Sequence, residues 1–157
     1  MNISELYEKL REKFAEGLSL SESQMELLIS SRQLVAILRQ LKEQFGFAFL
    51  SALTAVDYTD RFEMVYCLMS LEDASLVTVK VHLGKAVPSV PSIVTLWPAA
   101  NVQEREVYDM FGIQFEGHPN LKRILNTDDF EGFPLRKTLT LPQVDRQSRE
   151  VLLMGRV

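Results

Sequence analysis

Cysteine occurs once in this chain, at Cys67, and tryptophan once, at Trp97. A single thiol forms no intramolecular disulfide and cannot supply the cysteine sets of structural zinc or iron–sulfur centres. Positive charge is also scarce: 17 Lys and Arg stand against 21 Asp and Glu, a net charge of −4, so there is no surplus of cations for phosphates. Nucleic acid is therefore not expected as a partner. No run reaches the ~20 apolar residues that span a bilayer. The first sixteen residues mix Glu5, Glu8, Lys9, Arg11, Glu12 and Lys13 into the apolar positions, which reads against a secretory signal. These features point to a cytoplasmic protein, or one that meets a membrane only through partners, and a lone thiol suits a reducing compartment. A Gly-x-Ser-x-Gly elbow and a glycine-rich phosphate loop are missing too.

What remains is ordinary globular material. A chain of 157 residues, 46% of them hydrophobic, buries roughly 70% of its unfolded surface, enough for one real core. Leu6, Tyr7, Leu10 and Phe14 recur at helical spacing, with Asn2 and Glu5 at capping-box separation and Gly17 available as a terminator. Met25 to Ile29 has strand length. Ser30 and Gln33 again have capping-box spacing, before the periodic Leu34, Ile37, Leu38, Leu41 and Phe45 of a second helix that ends near Gly46. Three strand-like runs follow, Phe47 to Val56, Phe62 to Leu71 and Leu76 to Leu83, and their short polar links favour antiparallel neighbours. Alternation in the last run puts His82 on the polar face as an exposed residue. Between Pro88, Pro91 and Pro98, the segment Ile93 to Trp97 packs Trp97 on the core. Asn101 and Glu104 have the spacing of an N-cap and its N3 partner for a third helix through Val107, Met110 and Phe111 to Gly112.

Ionisable groups are densest in Glu104-Arg105-Glu106-Val107-Tyr108-Asp109, followed by His118. Arg105 and Asp109, at i and i+4, share a helical face and can interact. One reading takes Glu106 and Asp109 as acid and base or metal ligands, with His118 closing a hydrolytic site. Another takes Glu104 as the capping partner and the remaining face as solvated or partner-facing. Cys67, in an apolar strand between Tyr66 and Leu68, reads as a buried structural thiol. Beyond Phe115 periodicity fades: residues 1–115 read as an α+β domain, and 116–157 as an extended C-terminal arm. Its Ile124, Leu125, Phe130, Phe133 and Leu135 have no element of their own to be buried in, so they cover either this domain's own sheet or a second protein.

Three ordered motifs carry a resemblance: Glu104-Arg105-Glu106-Val107-Tyr108-Asp109-Met110-Phe111-Gly112-Ile113, His118-Pro119-Asn120-Leu121-Lys122-Arg123-Ile124-Leu125 and Gly132-Phe133-Pro134-Leu135-Arg136-Lys137. Together they resemble the signature of the C-type, 30 kDa hydrophilic subunit of respiratory complex I. The resemblance implies an α+β fold, a mixed and largely antiparallel sheet with helices packed on it, followed by an extended C-terminal arm. It implies a peripheral-arm subunit of a proton-translocating NADH:quinone oxidoreductase that has no cofactor of its own, with FMN and iron–sulfur clusters held by partner subunits. The chief partner implied is the large, D-type subunit of the quinone site. The complex would lie on the cytoplasmic side of the cell membrane, and this chain would be inactive alone. On that reading Glu104, Arg105, Glu106, Asp109, His118, Lys122, Arg123, Pro134, Leu135, Arg136 and Lys137 are architectural and partner-binding residues rather than catalytic ones. The same subunit type recurs in energy-converting hydrogenases and in dehydrogenases with other electron donors.

Overall fold

The computed structural model describes residues 3–14, 17–21 and 26–139. In chain order they form α1 (Ile3–Lys13), β1 (Leu18–Ser21), β2 (Glu26–Ile29), a single 3-10 turn (Ser31–Gln33), α2 (Leu34–Phe45), β3 (Phe49–Asp57), β4 (Arg61–Met69), β5 (Leu76–Gly84), β6 (Ser89–Pro91), α3 (Ala100–Phe111) and β7 (Gln114–Glu116). Five strands make one sheet in the order β1-β2-β5-β4-β3; every pairing is antiparallel except β2 with β5. β6 and β7 pair separately and in parallel. The fold is α+β, as the motifs imply.

Register explains the core. Leu53, Tyr66, Val79 and Leu27 lie in one cross-strand row, and Ala55, Met64, Val81 and Ile29 in the next, so one face of the sheet is apolar across four strands. A bulge between Leu50 and Ala52 keeps Leu50 on that face opposite Leu68. Leu6 and Leu10 of α1, Leu34, Ile37, Leu38 and Leu41 of α2, and Ala100, Val107 and Phe111 of α3 complete the same buried cluster. The four α2 side chains alone contribute about 1.5–3 kcal/mol each through burial. Gly46 ends α2 in the left-handed region at φ 75°, and the amides of Gly46 and Phe47 turn back to the Leu41 carbonyl. Trp97 is buried, and its indole N–H donates to the Ala48 carbonyl at 2.8 Å.

Several expectations need correction. Ser30 makes no side-chain cap; its carbonyl accepts from the Gln33 amide at 3.0 Å in the 3-10 turn, and α2 starts only at Leu34. Asn101 does not cap α3 either, because Ala99 holds that position after Pro98. Cys67 is half-buried on the outer face of the sheet, since Tyr66 and Leu68 take the inward positions of β4. Strand β1, which has only four residues, and the three-residue β6 and β7 have no counterpart among the sequence-based expectations. His82 is exposed as expected, and its Nε2 lies 2.9 Å from a carboxylate oxygen of Glu63. Asn2, Met25 and residues 140–157 of the arm lie outside the described residues.

Candidate partner-docking strap

Residues 118–137 form neither helix nor strand, yet they are held along α3 at successive points. The His118 ring accepts at Nδ1 from the Asn120 amide at 3.0 Å, so Nε2 carries the proton and donates to the Asn101 carbonyl at 3.1 Å. One turn on, Arg105 donates from Nε and a terminal nitrogen to the carbonyls of Lys122 and Arg123, both at 3.1 Å. Another turn on, Asp109 Oδ2 accepts the amides of Ile124, Leu125 and Asn126 at 3.0, 2.7 and 2.8 Å. Its Oδ1 takes Arg123 at 3.1 Å and the Asn126 side-chain amide at 2.8 Å. Positions 101, 105 and 109 are spaced by four, about 6 Å of rise each, so the segment runs parallel to the helix along one stripe. Arg105 and Asp109 therefore do not pair with each other; both grip the strap.

The strap then closes over the end of α3. Gly112 terminates the helix at φ 70°, and Phe133 sits so close that a Cβ at Gly112 would meet its ring at 2.4 Å. The Leu135 amide donates to the Met110 carbonyl at 3.0 Å, and Arg136 donates to the Phe111 carbonyl while lying over the rings of Phe62 and Phe133. Arg123 bridges back, donating to the Gly132 carbonyl at 3.1 Å above Phe133. The Lys137 amide donates to Asp57 Oδ2 at 2.8 Å, and Lys85 takes the other oxygen. Thus the arm's first half lies on its own domain, and Phe133 covers that domain's Gly112 and Tyr108.

Charge follows this geometry. Burial by itself would raise the Asp109 pKa, but the amide and side-chain hydrogen bonds from Asn126 and the amides of Leu125 and Ile124 outweigh it and hold the carboxyl well below its ordinary value. Asp57 is lowered in the same way, against burial, by Lys85 and the Lys137 amide. Glu104 is the opposite case: fully buried, it is pushed up by desolvation despite donors from the Ile93 amide at 2.7 Å and the Ser92 hydroxyl at 2.7 Å. The reading of Glu104 as a capping-box residue therefore fails; its carboxylate fixes the loop before α3 from inside.

The hydrolytic constellation is not assembled. His118 stands by Asn101 and Glu104, 3.9 Å from the latter's carboxylate, whereas Asp109 lies further along the helix and spends both oxygens on the strap. Glu106 is exposed on α3. Among the described residues, no group of three or more His, Cys, Asp or Glu is arranged to hold a metal ion. A hollow of about 370 Å³ opens elsewhere, between β1, β2 and His82. What the strap offers outward is side chains: Leu125 is 65% exposed, Leu135 54% and Ile124 36%, while Lys122 and Lys137 are exposed beside them and Pro134 is half-buried. Sequence reasoning missed Asn126 and Asp57, which complete the grip; a stretch of polar residues with short side chains hinted at Asn126, whereas Asp57 is the last residue of β3 and gave no such signal.

Comparison with known proteins adds a lineage to this geometry. Residues 27–145 match the family model described as respiratory-chain NADH dehydrogenase, 30 Kd subunit. The chain is 54% identical over 117 residues to the C-type subunit of the NADH-quinone oxidoreductase of Moorella thermoacetica, covering 73% of this chain and 79% of that one. It is 41% identical over 145 residues to the equivalent NADH-quinone oxidoreductase subunit of Citrifermentans bemidjiense, covering 88% and 90%. Among solved structures it is similar to a trypsin-resistant fragment of Nqo5, with TM-score 0.63 and 32% identity over 77% of this chain and all of that fragment. It is also similar to a chain of an archaeal membrane-bound sulfane sulfur reductase, with TM-score 0.75 and 25% identity over 98% of this chain and 91% of that one. No described helix is long and apolar enough to cross a membrane.

Proposed function

Because the chain belongs to the family of the respiratory-chain NADH dehydrogenase 30 Kd subunit, we propose that it is a non-catalytic subunit of a complex I-type NADH:quinone oxidoreductase. In this reading it sits in the peripheral arm, on the cytoplasmic side of the membrane, and touches the membrane only through the complex. FMN and the iron–sulfur clusters belong to partner subunits, and the chain alone turns nothing over. Its work is to present the strap to the large quinone-site subunit and so support the architecture of that site.

One observation carries this reading. The backbone of the strap is tied inward by Arg105, Asp109 and Arg136, while Leu125 and Leu135 point outward, more than half exposed, with Ile124 partly exposed beside them. Such a rigid apolar ridge between cations suits a partner contact. Replacing Leu125 and Leu135 together with Asp leaves the isolated chain folded, with an unchanged melting temperature, and cuts its recovery in the purified complex about tenfold, as a loss of some 1.4 kcal/mol would. Full recovery of the double variant would overturn the role of the strap. The likeness to a sulfane sulfur reductase chain favours a second reading, the same kind of subunit in a complex with a different electron donor. Assaying the purified complex with NADH and quinone separates the two, since only the first reading requires turnover.

A further inference from the structure

The helices α1, α2 and α3 all contribute to the core on one side of the five-stranded sheet, whereas Phe49, Leu76 and His82 are exposed on the other side. That outer face has a graded composition. At one end Phe49, Met69 and Leu76 form a cross-strand row, followed by Ala52, Cys67 and Thr78, then Thr54, Val65, Lys80 and Leu28. Phe49 is 46% exposed and Leu76 55%. The runs Phe47 to Val56 and Met64 to Leu71 contain no charged residue, so the exposed end lacks the lysines and inward charges with which free sheet surfaces are normally kept soluble.

Charge returns from the second row onward, where Glu26 stands beside Thr78 and Lys80 lies in the third row, with one sign in excess. Lys80 is shared between Glu26 at 2.7 Å and Glu63 at 3.4 Å, and Glu63 also meets His82. Arg61 at the far end is paired with Asp60, and the turn after β4 adds the exposed Glu72. Three strands of nine residues span about 14 by 30 Å, roughly 400 Å² before side-chain relief and before β1 and β2 are added. That is about half of the ~800 Å² that each side of a standard interface buries.

We infer that this outer face is a second docking surface, separate from the strap, for a neighbouring protein subunit that presents an apolar patch bordered by Lys and Arg. The apolar row supplies the desolvated centre, and the exposed Glu72 and Asp73 of the turn after β4 supply the rim that selects basic side chains. Glu26 and Glu63 add a negative excess that Lys80 offsets only in part. The inference rests on the chain being a subunit of an assembly, and does not depend on what the strap binds. A chain with two docking faces, one on α3 and one behind the sheet, bridges two neighbours.

The test uses the assembled complex. A photo-crosslinking residue replaces Leu76 in the full chain, the complex is purified and irradiated, and the adduct is mapped by mass spectrometry. The expected adduct lies in another subunit of the complex, within a stretch that combines apolar residues with Lys or Arg. An adduct to this chain's own residues 140–157, to a second copy of the chain, or to nothing overturns the inference. A second variant, Leu76→Glu with Phe49→Glu, should keep the melting temperature of the isolated chain and lower its recovery in the complex about tenfold. Recovery equal to wild type overturns the inference as well. The same crosslinker at Leu125 reports on the strap independently, so failure at one face is distinguishable from failure at the other.

Discussion

The two halves of this molecule are fixed by different physics. In the sheet and its helices, rows such as Leu53, Tyr66, Val79 and Leu27 exclude water, and secondary structure satisfies the backbone. In the strap there is no ladder to satisfy the backbone, and side chains of one helix do it instead: Arg105 takes two carbonyls and Asp109 three amides. Apolar packing tolerates small shifts, whereas a carboxylate that accepts five hydrogen bonds specifies one conformation. Holding the strap this way frees Leu125 and Leu135 to face outward while Phe133 and Leu121 pack inward.

The contrast can be broken from either side. The largest effect is expected from Leu41→Ala on fully buried α2, with a loss of about 2–5 kcal/mol. Thermal melting should fall cooperatively, with strap and body going together. Next comes Asp109→Ala, which strips several charge-assisted bonds and costs about 2–3 kcal/mol, but locally. Hydrogen exchange should accelerate on the order of 100-fold at Leu125 and Asn126 and stay unchanged at Val79. Acidification should imitate that variant. The folded-state pKa of Asp109 is depressed below its ordinary 3.8, so its contribution is complete above that value and drains away as pH falls through the folded pKa. A pH titration in which the strap's amides lose no protection before those of the sheet would defeat this expectation. The smallest of the three substitutions is Gly112→Ala, where a left-handed φ costs about 1–2 kcal/mol and the new methyl displaces Phe133. Tryptic cleavage at Arg136 should become faster while the near-ultraviolet signal of Trp97 persists.

Legibility in the sequence followed the length of the elements. The three helices and the three nine-residue strands carry enough turns or alternations to declare themselves, whereas β1, β6 and β7 are too short for any period to show. Two capping-box spacings misled because local preference lost to tertiary demand: Glu104 is taken inside by the Ile93 amide and Ser92. At the strap, the motif residues were visible as a set but their division of labour was not. Asp109 looked like the i+4 partner of Arg105, yet its partners are 14 to 17 residues away in a loop. That the third motif folds back onto the end of the first is carried by Phe133 on Gly112, Leu135 on the Met110 carbonyl and Arg136 on the Phe111 carbonyl, contacts that no periodicity encodes.

The single parallel pairing of the sheet bears on how the chain folds. β3, β4 and β5 follow one another as hairpins, but Leu27 of β2 must find Val79 of β5 across 52 residues. Loop closure over that span is slower than hairpin formation. The meander should therefore form first and present β5 as a template, with α1, β1 and β2 joining last and opening first. Pulse-labelled hydrogen exchange during refolding should protect Val65 and Lys80 before Leu28, and the reverse order would refute the sequence of events. On a ribosome the same topology leaves β2 with only β1 beside it until Val81 has emerged, so β2 takes its place in the sheet after residues made later than itself.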